Sequence, residues 1–271
     1  MVNFCKEKFD IIIVAGQSNA EGFGVGPIDF EYQPNDKILW LNDNANARFE
    51  LINGKDVLVL NELREKTISI AEEPENEFGK VGKLSLAFSK KYLNQILKPD
   101  RKILIINCAV GGTGFARPEW GIGNVLHDRM IDLVCYALSL NEENRVVAFL
   151  WHQGECDSVE NADWDEDKRY NIHKNNLTNM INDVYSNINC KVPFIAGGFC
   201  DEWYYTKKKA CDAVLKAIRE VCLSFGGAFI ETKGLISNNQ KIANGDNIHF
   251  CRQSLYELGE MYFTEYAKII V

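Results

Sequence analysis

The chain has 271 residues, enough for one large α/β core. Its 46% hydrophobic and 25% charged residues are those of an ordinary globular protein. Thirty basic against 38 acidic side chains leave a net charge of −8, which sets nucleic acid and anionic membranes aside as general partners.

The first ten residues carry Lys6, Glu7, Lys8 and Asp10 and run straight into an apolar segment, so no cleaved leader is expected. Residues 9–15 (FDIIIVA) read as a fully buried strand, and 37–41 (KILWL) as a shorter one. The stretch 54–78 is polar and acidic, with Glu72, Glu73, Glu75 and Glu77, and reads as a loop excursion or small hairpin within one domain spanning 1–271. Residues 82–97 have helical spacing through Leu84, Phe88, Tyr92 and Ile96. A strong strand at 102–110 (KILIINCAV) is followed by a helix at 125–140 and a strand at 146–151 (VVAFLW). A long helix at 168–188, a strand at 193–197, a helix at 210–225, a short strand at 228–231 and a closing helix at 253–270 complete the order. Lys207, Lys208 and Lys209 read as a solvated helix start.

Continuous apolar strands alternating with helices imply a parallel sheet covered on both faces, a three-layer α/β/α sandwich. No run approaches the roughly 18 apolar residues of a membrane helix. Nine cysteines, an odd number at irregular spacing and without a CxxC pair, point to reduced, mostly buried thiols in a cytoplasm rather than to disulfides or structural zinc.

In a doubly wound sheet, ligands bind beyond the carboxyl ends of the strands, and four such places are unusual here. The first strand ends in Gly16-Gln17-Ser18-Asn19. A serine there is either a helix N-cap or an exposed nucleophile, and Ala20 excludes the GxSxG elbow. The 102–110 strand ends in Gly111-Gly112-Thr113-Gly114, whose glycines let backbone N–H groups approach a ligand; without a following GK[ST] it is no phosphate loop. The 146–151 strand runs into His152-Gln153-Gly154-Glu155-Cys156-Asp157, polar residues that are costly to bury without a role. A metal cluster of His152, Glu155 and Asp157 fits no known spacing. Before the last helix comes Asp246-Asn247-Ile248-His249, where a carboxylate can hold imidazole Nδ1 and leave Nε2 to take a proton, unless the pair is an Asx turn and a helix-start histidine. His127 and His173 fall within helices and read as surface or partly buried fillers.

In this order the four blocks resemble the SGNH, or GDSL-like, hydrolases. Within them the chain is similar to the sialate O-acetylesterase and acetylxylan esterase branch, carbohydrate esterase family six, and to bacterial acetylxylan-esterase-related proteins. GQSN at 16–19 and WHQGE at 151–155 carry the likeness most specifically, with GGTG at 111–114 and DxxH at 246–249. The resemblance implies a flavodoxin-like sandwich around a central, mainly parallel five-stranded sheet. It implies Ser18 as nucleophile, with His249 as base and Asp246 as its partner. An oxyanion hole would come from Ser18 N, Gly112 N and the Gln153 side chain. Gln17, Asn19, Gly111, His152 and Glu155 would support these groups. Glu155 would orient Gln153, His152 or His249, or else pair with Arg117. Cys156 stands where the family has a serine, replacing a supporting hydroxyl by a thiol.

The implied activity is removal of acetyl groups from xylo-oligosaccharides or related sugars, with a small acetylated carbohydrate as partner and no metal or organic cofactor. A sialic acid O-acetylesterase and a general short-chain esterase share these motifs, and a non-catalytic sugar- or nucleotide-binding module shares the fold. Arg117 and Trp120 are candidate substrate contacts; Trp120, Trp151 and Trp203 stand near strand ends where a sugar face can stack, although a tryptophan more often packs in the core.

Overall fold

The computed structural model describes residues 4–45, 47–61 and 65–271. In chain order the main elements are β1 (Phe9–Gly16), α1 (Ser18–Glu21), β2 (Ile38–Asn42), β3 (Arg48–Ile52), β4 (Lys55–Val59), β5 (Thr67–Ile70), β6 (Glu75–Asn76), β7 (Gly79–Lys80) and α2 (Leu84–Gln95). They continue with β8 (Lys102–Asn107), α3 (Val125–Ser139), β9 (Arg145–His152), α4 (Glu166–Ile188), β10 (Phe194–Gly197), α5 (Asp201–Thr206) and α6 (Lys208–Ser224), and end with β11 (Ala228–Ile230), α7 (Asn238–Ile242) and α8 (Arg252–Ile269).

The central sheet has the order β11-β10-β9-β1-β8-β2-β5. Its seven strands correct the expected five. Six are parallel, and β5 adds an antiparallel edge by pairing with β2. β5 comes from the stretch read as a loop excursion; β3 and β4 form a separate hairpin and β6 and β7 another. Residues 62–64 of that stretch lie outside the described residues.

Strand residues alternate between faces, and β1 is buried on both. Phe9, Ile11 and Ile13 join one core with Leu133, Leu177 and Ile218 of α3, α4 and α6. Ile12 and Val14 join the other with Phe88 of α2 and Leu258 and Tyr262 of α8. His127 and His173, expected as surface or partly buried fillers, are buried.

At the amino end of β1, Asp10 is fully buried. Arg101 Nε and Arg145 Nε each donate to its Oδ1 at 2.7 Å, and Tyr92 OH donates to Oδ2 at 2.8 Å. Burial alone would raise this carboxyl, but the Arg145 and Tyr92 hydrogen bonds and the Arg101 charge hold it below its ordinary range. Of the eight cysteines whose side chains are described, six are buried and Cys135 and Cys190 are exposed, all as free thiols. Among the described residues no helix is long and apolar enough to cross a membrane.

Candidate active site

The carboxyl ends of β1, β8 and β9 meet at one edge of the sheet and bring three of the four blocks together. Gly16 has φ +128°, and a Cβ there would lie 2.1 Å from the His152 carbonyl oxygen. Only glycine lets β1 and β9 come this close as the chain turns. Gln17 N donates to His152 O at 3.0 Å, and one helical turn then begins at Ser18. Ser18 is almost buried yet lines a cleft of about 940 Å³, whose walls include Gly111, Gly112, Glu155, Cys156 and His249.

The glycine loop is pinned from several sides. Gly111 N donates to Glu21 Oε2 at 2.7 Å. That N–H is engaged; Gly112, at φ +71°, also lines the cleft. Cys156 Sγ donates to Gly112 O at 3.5 Å, so the thiol touches the loop. Further along, Phe115 N and Ala116 N donate to Asp157 Oδ1 at 2.9 and 2.8 Å, while Asp157 Oδ2 pairs with buried His173 Nδ1 at 2.8 Å. Asp157 is therefore engaged apart from His152 and Glu155, whose Nε2 and Oε1 lie 3.7 Å from each other, and among the described residues no group of three or more His, Cys, Asp or Glu is arranged to hold a metal ion.

The fourth block arrives from the loop between α7 and α8. His249 Nδ1 bonds Asp246 Oδ2 at 2.8 Å, and Asn238 Nδ2 donates to the same oxygen at 2.8 Å. Burial would raise the Asp246 carboxyl, but these bonds and the imidazole bring it down to about 2, so it is ionised at neutral pH. The Phe23 ring stacks on the imidazole at 5.2 Å between centroids.

Gln153 departs from expectation. It is fully buried, and its Nε2 donates to Thr113 O at 3.2 Å and Gln17 Oε1 at 3.3 Å. Its amide N–H groups face the protein, and it is not part of the cleft wall. Glu155 is not the partner of Arg117, which pairs with Glu160 at 2.6 Å beside the Phe49 ring. Instead Glu155 Oε1 accepts from Asn19 Nδ2 at 2.8 Å. Burial pushes the Glu155 carboxyl up against that bond, and burial pulls His152 down to about 3, leaving it neutral. His152 Nδ1 meets Tyr262 OH at 3.0 Å.

Trp120 is fully buried, with its ring edge-on to Trp151 at 5.2 Å and its Nε1 bonded to Thr113, so neither ring can stack on a sugar. Trp203 and Arg117 do line the cleft. Sequence reasoning missed Glu21, Phe23, Phe49 and Lys83, which also line it. Glu21 had a local signal, standing three residues after Ser18 and so on the same side of a helical turn.

A family model described as carbohydrate esterase, sialic acid-specific acetylesterase, matches residues 8–268. No curated protein shows significant sequence similarity to the chain. The crystal structure of NanS superposes with a TM-score of 0.76 at 17% identity, covering 100% of this chain and 99% of that one. A protein from Arabidopsis thaliana gives 0.69 at 20% identity, covering 96% and 98%. A carbohydrate acetylesterase from Xanthomonas citri gives 0.57 at 12% identity, covering 96% of this chain and 56% of that one. At these identities the structures speak for a shared fold.

Proposed function

The chain belongs to the carbohydrate esterase family of sialic acid-specific acetylesterases and is a carboxylic ester hydrolase, and from that premise we propose that it removes acetyl groups from xylo-oligosaccharides or related sugars through an acetyl-serine intermediate. The observation that carries the reading is the 2.8 Å Asp246–His249 bond at the wall of the cleft that Ser18 also lines.

In this reading His249 Nε2 takes the Ser18 proton as Oγ attacks the acetyl carbonyl. Ionised Asp246 fixes the imidazole tautomer and stabilises the imidazolium. Negative charge develops on the carbonyl oxygen and is met by Ser18 N–H and Gly112 N–H, each worth on the order of 3 kcal/mol in such a site. His249 then gives its proton to the departing sugar oxygen, which leaves as a hydroxyl, and a water activated by the same base hydrolyses the acetyl-enzyme to acetate and free Ser18. Gln153 takes a supporting part, tying Gln17 to Thr113 behind the hole. Glu21 holds the glycine loop by Gly111 N, and Asn19 with Glu155 holds the segment that carries His249.

A second reading, an O-acetyl ester on a sialic acid, is favoured by the description of the matching family model. Two measurements test the proposal. A fluorophosphonate probe is expected to label Ser18, and Ser18→Ala to abolish labelling and lower kcat on 4-nitrophenyl acetate by at least about 10⁴-fold; unchanged hydrolysis would remove Ser18 from the mechanism. A panel of acetylated xylosides, acetylated sialic acid and aryl esters of increasing acyl length ranks the substrates, and equal rates across acyl lengths would refute a dedicated acetylesterase.

A further inference from the structure

A groove of about 430 Å³ opens beside the cleft that holds Ser18 and His249. Asn42, Lys83 and Asn107 wall both, so the two spaces adjoin. Beyond these three, the groove runs along the antiparallel edge, where Trp40 pairs with Ser69 and Asn42 with Thr67. Trp40, Ser69 and Ile70 line it there, with Glu72 and Glu73 farther along.

The lining has the chemistry of a neutral polyhydroxyl ligand. Asn42 and Ser69 are exposed and offer an amide and a hydroxyl. Lys83 holds its ammonium over the Trp40 ring, with Nζ 5.8 Å from the centroid, and donates to Glu21 O, one turn from Ser18. Its position links the groove to the reacting end of the cleft. Three cations in or beside the two spaces are paired with carboxylates of the chain, while Lys83 bonds a carbonyl and Glu72 adds a negative charge to the groove wall. Arg252 Nε and Tyr256 OH engage Glu73 at 2.9 and 2.8 Å. In the cleft, Arg117 is held by Glu160 at 2.6 Å and Arg129 by Asp43 at 2.9 Å. An anionic sugar would have to compete with these carboxylates for their cations, whereas hydroxyl groups pair with amide, hydroxyl and ammonium without that cost. The cleft volume already matches one small-molecule ligand, and the groove adds room for another unit.

We propose that this groove is a second sugar subsite, binding the unit next to the acetylated one in a neutral oligosaccharide, with Asn42, Ser69 and Lys83 contacting its hydroxyls. The proposal rests on the sugar acetylesterase reading above.

The test compares kcat/KM of the wild-type enzyme on an acetylated xylose methyl glycoside, on an acetylated xylobiose and on an O-acetylated sialic acid. Two or three hydrogen bonds to an added ring predict at least about a tenfold gain from monosaccharide to disaccharide. The sialic acid ester is expected to be the poorest of the three. Ser69→Trp, which fills the groove from an exposed strand position, and Asn42→Ala should each collapse the disaccharide-to-monosaccharide ratio toward one. The ratio is read within each variant, so reduced folding yield does not enter it. No gain in the wild type, a ratio unchanged in both variants, or a preference for the sialic acid ester would overturn the subsite. Hydrolysis of aryl acetates with none of any sugar ester would overturn the sugar reading itself, and the subsite with it.

Discussion

Asn19 Nδ2 donates to the buried carboxylate of Glu155 at 2.8 Å, and the same side chain grips both neighbours of His249, donating to Ile248 O at 3.2 Å and accepting from Phe250 N at 3.1 Å. One amide thus fastens the imidazole-bearing segment to the turn that carries Ser18. Reacting groups misplaced by about 1 Å lose on the order of a hundredfold. Asn19→Ala is therefore expected to lower kcat on 4-nitrophenyl acetate by about 10- to 100-fold with KM little changed. Slower fluorophosphonate labelling should accompany it, and a change confined to KM would contradict this role.

Glu21 acts on the other half of the site. Its carboxylate accepts Gly111 N–H at 2.7 Å, and burial pushes it up against the opposing pull of Lys83. Glu21→Gln keeps an acceptor in place and should hold kcat within a few-fold. Glu21→Ala frees the loop and should lower kcat by about tenfold or more, since oxyanion stabilisation depends on donors fixed in advance. Equal losses in both variants would show that charge, not the hydrogen bond, is what matters.

Asp246 gives a test with a defined pH window. Its carboxyl lies at about 2 in the folded protein, below the roughly 3.9 of an unfolded chain. The pairing therefore contributes stability that is fully present above about pH 4 and lost as pH falls through about 2, amounting to about 2 kcal/mol. Asp246→Asn should remove that part of the acid destabilisation in urea unfolding between pH 5 and 2. It should also lower kcat about 10⁴-fold at neutral pH, as expected when an imidazole loses its orienting carboxylate.

At the far end of β1, Asp10→Ala strands the buried guanidinium of Arg101, which is only 7% exposed. Breaking a buried pair in this way costs about 3–5 kcal/mol. Urea unfolding should register that loss, while kcat per folded molecule stays near the wild-type value.

The site was legible in the sequence because its residues interrupt apolar strands. Glycines and polar side chains directly after FDIIIVA and VVAFLW have no packing reason to be there, and the order of the blocks did the rest. The strand alternation likewise announced the three layers. The edge strand β5 was hidden because its exposed residues lack a buried face to give it a period. Gln153 and Trp120 were misplaced for a different reason. Spacing tells which residues reach a strand end, while the direction of an amide or a ring depends on neighbours such as Thr113 and Gln17, up to 136 residues away. Lys83 and Glu21 met only through folding, 62 residues apart.

Parallel strands give the sheet two unlike ends. Asp10 and Gly16 stand six residues apart on β1, roughly 20 Å at the usual rise of a strand. Effects of substitutions that far apart usually add without interfering. The charged cluster around Asp10 anchors the fold at one end, and the cleft and its groove occupy the other. Wall residues such as Asn42, Phe49 and Ser69 can therefore be exchanged without drawing on that anchor, which gives this architecture latitude to reshape the cleft and groove while keeping the turn at Ser18 intact.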